Sequence, residues 1–235
     1  MSDNKSLPTW LKQCQIDLIE PRRRAIENHP FVLGMLLGSV EKTSAERFFS
    51  GLMWHLLEFG THVSHLMSKR PREASELLQG RSEDQSGDTK ILRRIVEALE
   101  GPAQQIETRP WTYRPHPVWI THDALLRCAI YSQDLPWQAA AAGLNIGIEC
   151  LVPTMIEPLF YAATKNYHLS ESQVEWLKSR SGDAEKQHGD NGYILLSKFV
   201  KDDDISLQEK CRFQIDALSY SMAYRLLESG LGFYR

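Results

Sequence analysis

Four residues inside the stretch Arg47 to Leu66, RFFSGLMWHLLEFGTHVSHL, are of the types that bind metals or move protons: His55, Glu58, His62 and His65. Their steps of three, four and three fit a helix. At about 100° per residue they share an arc of roughly 80°, with Glu58 and His65 within about 20° of each other. Much of the remaining circumference is Phe, Leu, Met, Trp and Val. Part of the polar stripe is therefore expected to face inward, where polar groups need partners. A metal ion would supply them, and so would hydrogen bonds.

Two further stretches offer inward-facing polar groups. Glu149 stands in GLNIGIECLVP, among so many apolar residues that an ionised carboxylate there must be paired or ligated. Glu157 lies two turns on but about 80° round, off that face. Ser181, Glu185 and His188 fall at i, i+4 and i+7, within an arc of roughly 60°. Carboxylates and imidazoles gathered from several helices at a bundle core are the way di-iron and di-manganese sites are built. Other chemistries have less support. The sequence has no GxSxG elbow, Walker A loop or HExxH. Cys128 and Cys150 sit in apolar helical runs, the setting of structural thiols.

The elements that must position these groups read as helices throughout. Residues 9–28 form one, ended or kinked at Pro21. His29-Pro30-Phe31 opens a short segment reaching Gly38. Thr43-Ser44-Ala45-Glu46 reads as a capping box ahead of the Arg47–Leu66 helix. Ser82 to Asp88 is polar enough for a mobile loop, and Lys90 to Leu99 is a short amphipathic helix. Residues 103–120 are expected to be irregular, pinned to the bundle by Trp111, Tyr113 and Trp119. Helices resume at Asp123–Ser132 and at Trp137–Lys165, the latter kinked at Pro153. Capping boxes at Ser170 and Ser206 open two more, the first reaching about Val200 and the second about Leu227. The expectation is an all-α single domain over 1–235, a bundle of about seven helices with a long irregular connection at 70–118.

Composition narrows the partners. Of 235 residues 42% are hydrophobic and 24% charged, the profile of an ordinary globular chain. A net charge of −3 and no long Lys/Arg run argue against nucleic acid. No apolar run approaches the ~20 residues of a membrane span, and the polar N-terminus lacks a signal-peptide core. Four scattered cysteines without a CxxC pair fit free thiols in a cytoplasmic protein.

Asn28-His29-Pro30-Phe31-Val32, then Gly38-Ser39 and the Thr43 box, resembles the opening of the haem-oxygenase-like superfamily. The branch is that of the TenA-type thiaminases, pyrroloquinoline quinone synthase and the non-haem di-iron oxidases. The resemblance spans roughly 10–68 and 120–227. In the di-iron members one helix gives a Glu and, seven residues on, a second ligand, which Glu58 and His65 match. A mid-bundle Glu falls on Glu149. A later His-x3-Asp-x2-His falls on Ser181, Glu185 and His188, so its first His is lost. The resemblance thus implies a metal set of Glu58, His65, Glu149, Glu185 and His188, with His62 and Ser181 as additional candidates and His55 and Cys150 at the substrate pocket. One non-haem iron would be firm and a second doubtful. Haem is not implied, since no proximal His is matched; His29 precedes Pro30 at a helix start. The function implied is an iron-dependent oxidase or oxygenase acting on a small molecule of the amino-acid or fatty-acid class. The alternative is a metal-free enzyme like TenA or the quinone synthase, or a ligand-binding protein on that scaffold. A homodimer is common in the superfamily.

Overall fold

Apolar residues at helical spacing organise nearly every element, and the described residues contain helices and no strand. The computed structural model describes residues 7–75, 80–181 and 183–231, the backbone alone at 75, 80–88 and 183–186. Helix α1 (Thr9–Cys14) runs through a π-helical stretch, Gln15–Ile19, into α2 (Glu20–Glu27). Pro21, which lacks the N–H a regular turn needs, sits where the widened turn ends, so the expected break becomes a π-bulge. Helix α3 (Pro30–Leu37) is capped by His29, whose Nδ1 accepts from the N–H of Phe31. Helix α4 (Lys42–Ser68) begins earlier than the Thr43 box implies. Its N-cap is Glu41, and the Glu46 carboxylate instead accepts from the Ser50 hydroxyl at 2.5 Å.

The connection at 70–118 departs most from expectation. It holds α5 (Arg72–Ser75), α6 (Gly80–Ala98), α7 (Ala103–Thr108) and a 3-10 turn, Pro110–Thr112. Residues 82–88, expected to be a loop, continue α6 toward its N-terminus. Leu92, Ile95, Val96 and Leu99 anchor the other end against α4, and the helix carries its polar half onward from there. Of the three aromatics, Trp119 is fully buried and Tyr113 packs half-buried on the core, its hydroxyl pushed up to about 12 by burial. Trp111 is 78% exposed, because the short 3-10 turn that carries it faces outward.

Helix α8 (Pro117–Tyr131) starts six residues before Asp123, with Pro117 in its first turn and His116 capping Val118 N–H. Helix α9 (Trp137–Ala142), a π-helical stretch (Gly143–Glu149) and α10 (Val152–Lys165) form the central rod. The rod breaks at Cys150-Leu151, which leaves Pro153 in the first turn of α10, where no N–H is required. Length and composition would let Trp137–Lys165 cross a membrane, contrary to the sequence expectation, but 89% of its apolar window is buried in the bundle. Helices α11 (Glu175–Arg180) and α12 (Asp183–Phe199) replace the single helix expected to 200. Helix α13 (Ile205–Tyr220) is capped by Asp204, which accepts from Leu207 N–H at 3.0 Å, rather than by Ser206. A π-helical stretch (Ser221–Arg225) and a 3-10 turn (Leu226–Gly230) follow. The central rod packs on α13, α12 and α3, and α4 packs on α6, α8 and the 3-10 turn at 226–230. The space between α4 and α8 is where the buried polar residues meet.

Candidate functional site

Helix α4 presents two pairs of polar residues seven apart, and the fold turns the pair His55/His62 inward. Both imidazoles are buried, and both point at one carboxylate, Asp123 on α8. His55 Nδ1 lies 3.4 Å and His62 Nε2 3.3 Å from Asp123 Oδ1, while Arg127 Nε donates to Oδ2 at 2.7 Å. Burial works against the charge on Asp123, but donors from His55, His62 and Arg127 outweigh it and hold the carboxyl well below the usual range. His62 Nδ1 lies 3.0 Å from the Tyr131 hydroxyl. His122, the neighbour of Asp123, pairs its Nδ1 with Ser221 Oγ at 2.9 Å. Burial, with the nearby His55 ring, pushes His122 down to about 3, so it is neutral at physiological pH.

Trp119, one turn before Asp123, closes the floor. Its indole N–H donates to Ser229 Oγ at 3.1 Å, and its ring packs on Phe48 and His55. A Cβ at Gly51 would sit inside that indole, so only glycine lets α4 pass there.

A half-open cavity of about 70 Å³ lies above this floor. Phe59, Trp119 and Trp176 give it aromatic walls, with Leu52, Met155 and Met222 among the aliphatic ones. Four polar residues reach it: His55, His122, Glu149 and Arg180. The π-helical stretch ending at Glu149 places that residue in the cavity wall. Its neighbour Cys150 lines a different pocket, with Arg23 and Tyr193, and its thiol lies 3.7 Å from the Asn145 carbonyl. Of the two residues expected at the substrate pocket, His55 lines the cavity and Cys150 does not.

Among the described residues the implied metal set is not gathered. Glu58 has 52% of its side chain in solvent, with its carboxylate 3.9 Å from Arg127 Nη2, and His65 stacks on Tyr131 at 4.4 Å. The residues seven apart on α4 that share the cavity with Glu149 are Leu52 and Phe59, neither of which can ligate a metal. Ser181 is the C-cap of α11 and donates to the Lys178 carbonyl, whereas His188 stands on α12. His188 is half-buried, and the Glu185 side chain lies outside the described residues. Among the described residues no three His, Cys, Asp or Glu side chains converge as a metal site would require. Glu58, His65 and Ser181, as placed, do not fit the iron centre that the resemblance implies.

Asp123, the carboxylate at the centre of this buried cluster, is not among the residues that the sequence singles out. The signal was present as Asp123, Arg127 and Tyr131, a polar stripe at i, i+4 and i+8 that complements the stripe on α4.

No protein-family profile matches the sequence, and neither does any curated protein. Solved structures do. A TenA homologue from Pseudomonas syringae pv. tomato superposes with a TM-score of 0.82 at 14% identity, over 96% of this chain and 94% of that one. A haem-oxygenase-like domain of unknown function from Shewanella denitrificans gives 0.74 at 12% identity, over 94% and 91%. A protein from a Silicibacter species described as a TenA family transcription regulator gives 0.72 at 15% identity, over 96% and 98%. The chain has the haem-oxygenase-like helical fold.

Proposed function

We propose that the chain is a TenA-like protein that binds a small, flat, heteroaromatic molecule in the α4–α8–α10 cavity and exchanges a proton with it through His55, without a metal. The observation that carries this reading is the placement of His55. Its Nδ1 lies 3.4 Å from the buried, ionised Asp123, at ion-pair distance though not in hydrogen-bond alignment, and the ring itself lines an aromatic cavity. A carboxylate on one nitrogen of an imidazole fixes the proton there and leaves the other nitrogen as the base. His55 Nε2 is then the proton acceptor offered to a ligand, and Asp123 stabilises the imidazolium that forms.

The rest of the cavity selects the ligand. Phe59, Trp119 and Trp176 favour a π-face, which stacks or packs edge-on against them. Glu149 and Arg180 add an acceptor and a donor, suited to a ring edge that carries both kinds of group. His122, neutral, contributes a polar contact without charge. The fold shared with TenA homologues supports this metal-free reading, and the outward position of Glu58 weighs against the iron oxidase.

The test is a thermal-shift screen of amino-substituted pyrimidines, pyridines and quinolines against amino acids and fatty acids, with and without Fe(II). Heteroaromatics should stabilise wild type without iron, and the shift should vanish in His55→Gln. Stabilisation that needs Fe(II), or that survives His55→Gln, would reject the proposal.

A further inference from the structure

Asp123 takes a hydrogen bond on each oxygen, from His62 on Oδ1 and Arg127 on Oδ2, while His55 Nδ1 stands 3.4 Å from Oδ1 at ion-pair distance but outside hydrogen-bond geometry. Arg127 Nε is the nearest at 2.7 Å from Oδ2. Half of its side chain is in solvent, and its short charge-assisted contact is the strongest pull on the carboxylate. His62 at 3.3 Å and His55 at 3.4 Å share Oδ1, and His55 is the more distant. With His62 removed, Arg127 would hold the carboxylate and His55 would lose it.

His62 is suited to oppose that pull. It is 1% exposed, and each of its ring nitrogens has one partner, Asp123 on Nε2 and the Tyr131 hydroxyl on Nδ1. An ionised carboxylate only accepts, so a neutral His62 carries its proton on Nε2. Nδ1 is then an acceptor, and Tyr131 is the donor that fills it. Tyr131 therefore fixes the tautomer of His62, and that tautomer is the one able to hold Oδ1.

We propose that His62 and Tyr131 are positioning residues: they hold Asp123 Oδ1 against the pull of Arg127, within reach of His55 Nδ1–H, so that the bare nitrogen of His55 faces the cavity. This rests on the reading of His55 as the proton-exchanging group. His62 touches no ligand and acts only through Asp123. The two residues occupy consecutive links of one chain, from a partly exposed tyrosine to a cavity base.

The experiment reads imidazole nitrogens in full-length, ¹⁵N-histidine-labelled protein at neutral pH. Wild type should show His55 protonated on Nδ1 and bare on Nε2, and His62 the reverse. His62→Phe should move the Nδ1–H to Nε2–H ratio of His55 by about tenfold, the factor carried by one hydrogen bond to a charged group. Tyr131→Phe should mix the tautomers of His62 and shift His55 less, in the same direction. His62→Gln, whose amide N–H can reach Oδ1, should return His55 toward wild type. An unchanged His55 spectrum in both His62→Phe and Tyr131→Phe would overturn the proposal. If His62→Phe fails to fold, Tyr131→Phe alone decides, because it removes one hydroxyl from a partly exposed ring. The spectra need no ligand, so a shift in His55 without any heteroaromatic binding would uphold the positioning role while rejecting the proposed function.

Discussion

Acid should unfold this protein through His122 before it affects the carboxylates. Unfolded, His122 takes up a proton near its ordinary 6.5; folded, it stays neutral down to about 3, because burial and the neighbouring His55 disfavour the charge. Between those values the unfolded state binds more protons, so stability falls as pH falls. At pH 5 the loss from this one residue is about 2 kcal/mol relative to pH 8, from the ratio of proton binding in the two states. The lowered values of His29 and His116, both mainly from burial, have the same sign. Asp123, with its carboxyl held low, contributes stability that is lost only below its ordinary value of 3.8, in a separate and more acidic window. Urea denaturation of wild type and His122→Gln at pH 8 and pH 5 isolates the histidine. The glutamine amide can keep the contact with Ser221 but does not titrate, so its pH-dependent loss should be smaller by about 2 kcal/mol. Equal losses in the two proteins would refute the reasoning.

Three other outcomes follow from the packing. Gly51→Ala should lower stability by about 1–3 kcal/mol, because its methyl meets the fixed Trp119 indole, and a thermal melt reads this directly. Fe(II) added anaerobically should bind well below one equivalent, and Glu58→Ala should not change that amount, as metal analysis of the desalted protein would show; stoichiometric iron lost in Glu58→Ala would restore the oxidase reading. Trp111→Ser should leave the melting temperature within error and lower the acrylamide quenching constant, since Trp111 is exposed while Trp10, Trp54 and Trp137 are half-buried and Trp119 and Trp176 buried.

The bundle was legible in the sequence because helical periodicity is local, whereas the details that failed depend on partners far along the chain. The stripe on α4 could be read as functional from its residue types. Which of its two pairs faces inward could not, since Glu58/His65 and His55/His62 have the same spacing and only packing against α8 separates them. Asp123 looks like a helix start from its sequence neighbours; Pro117, in the first turn of α8, moves that start six residues back and places Asp123 mid-helix, on the buried face. The Thr43 and Ser206 boxes failed because Glu41 and Asp204 begin their helices earlier. Residues 82–88 lack an apolar face and so suggest a loop, yet a helix anchored further along can continue into such a stretch.

Proton linkage on ligand binding tests the central claim most directly. Calorimetry of the best heteroaromatic ligand, run at one pH in two buffers of different ionisation enthalpy, counts the protons exchanged on binding. His55, with Asp123 on one ring nitrogen and the cavity at the other, should give proton exchange in wild type that is lost in His55→Gln and kept in Glu58→Ala. Binding with no proton exchange in wild type, or with exchange intact in His55→Gln, would contradict the account.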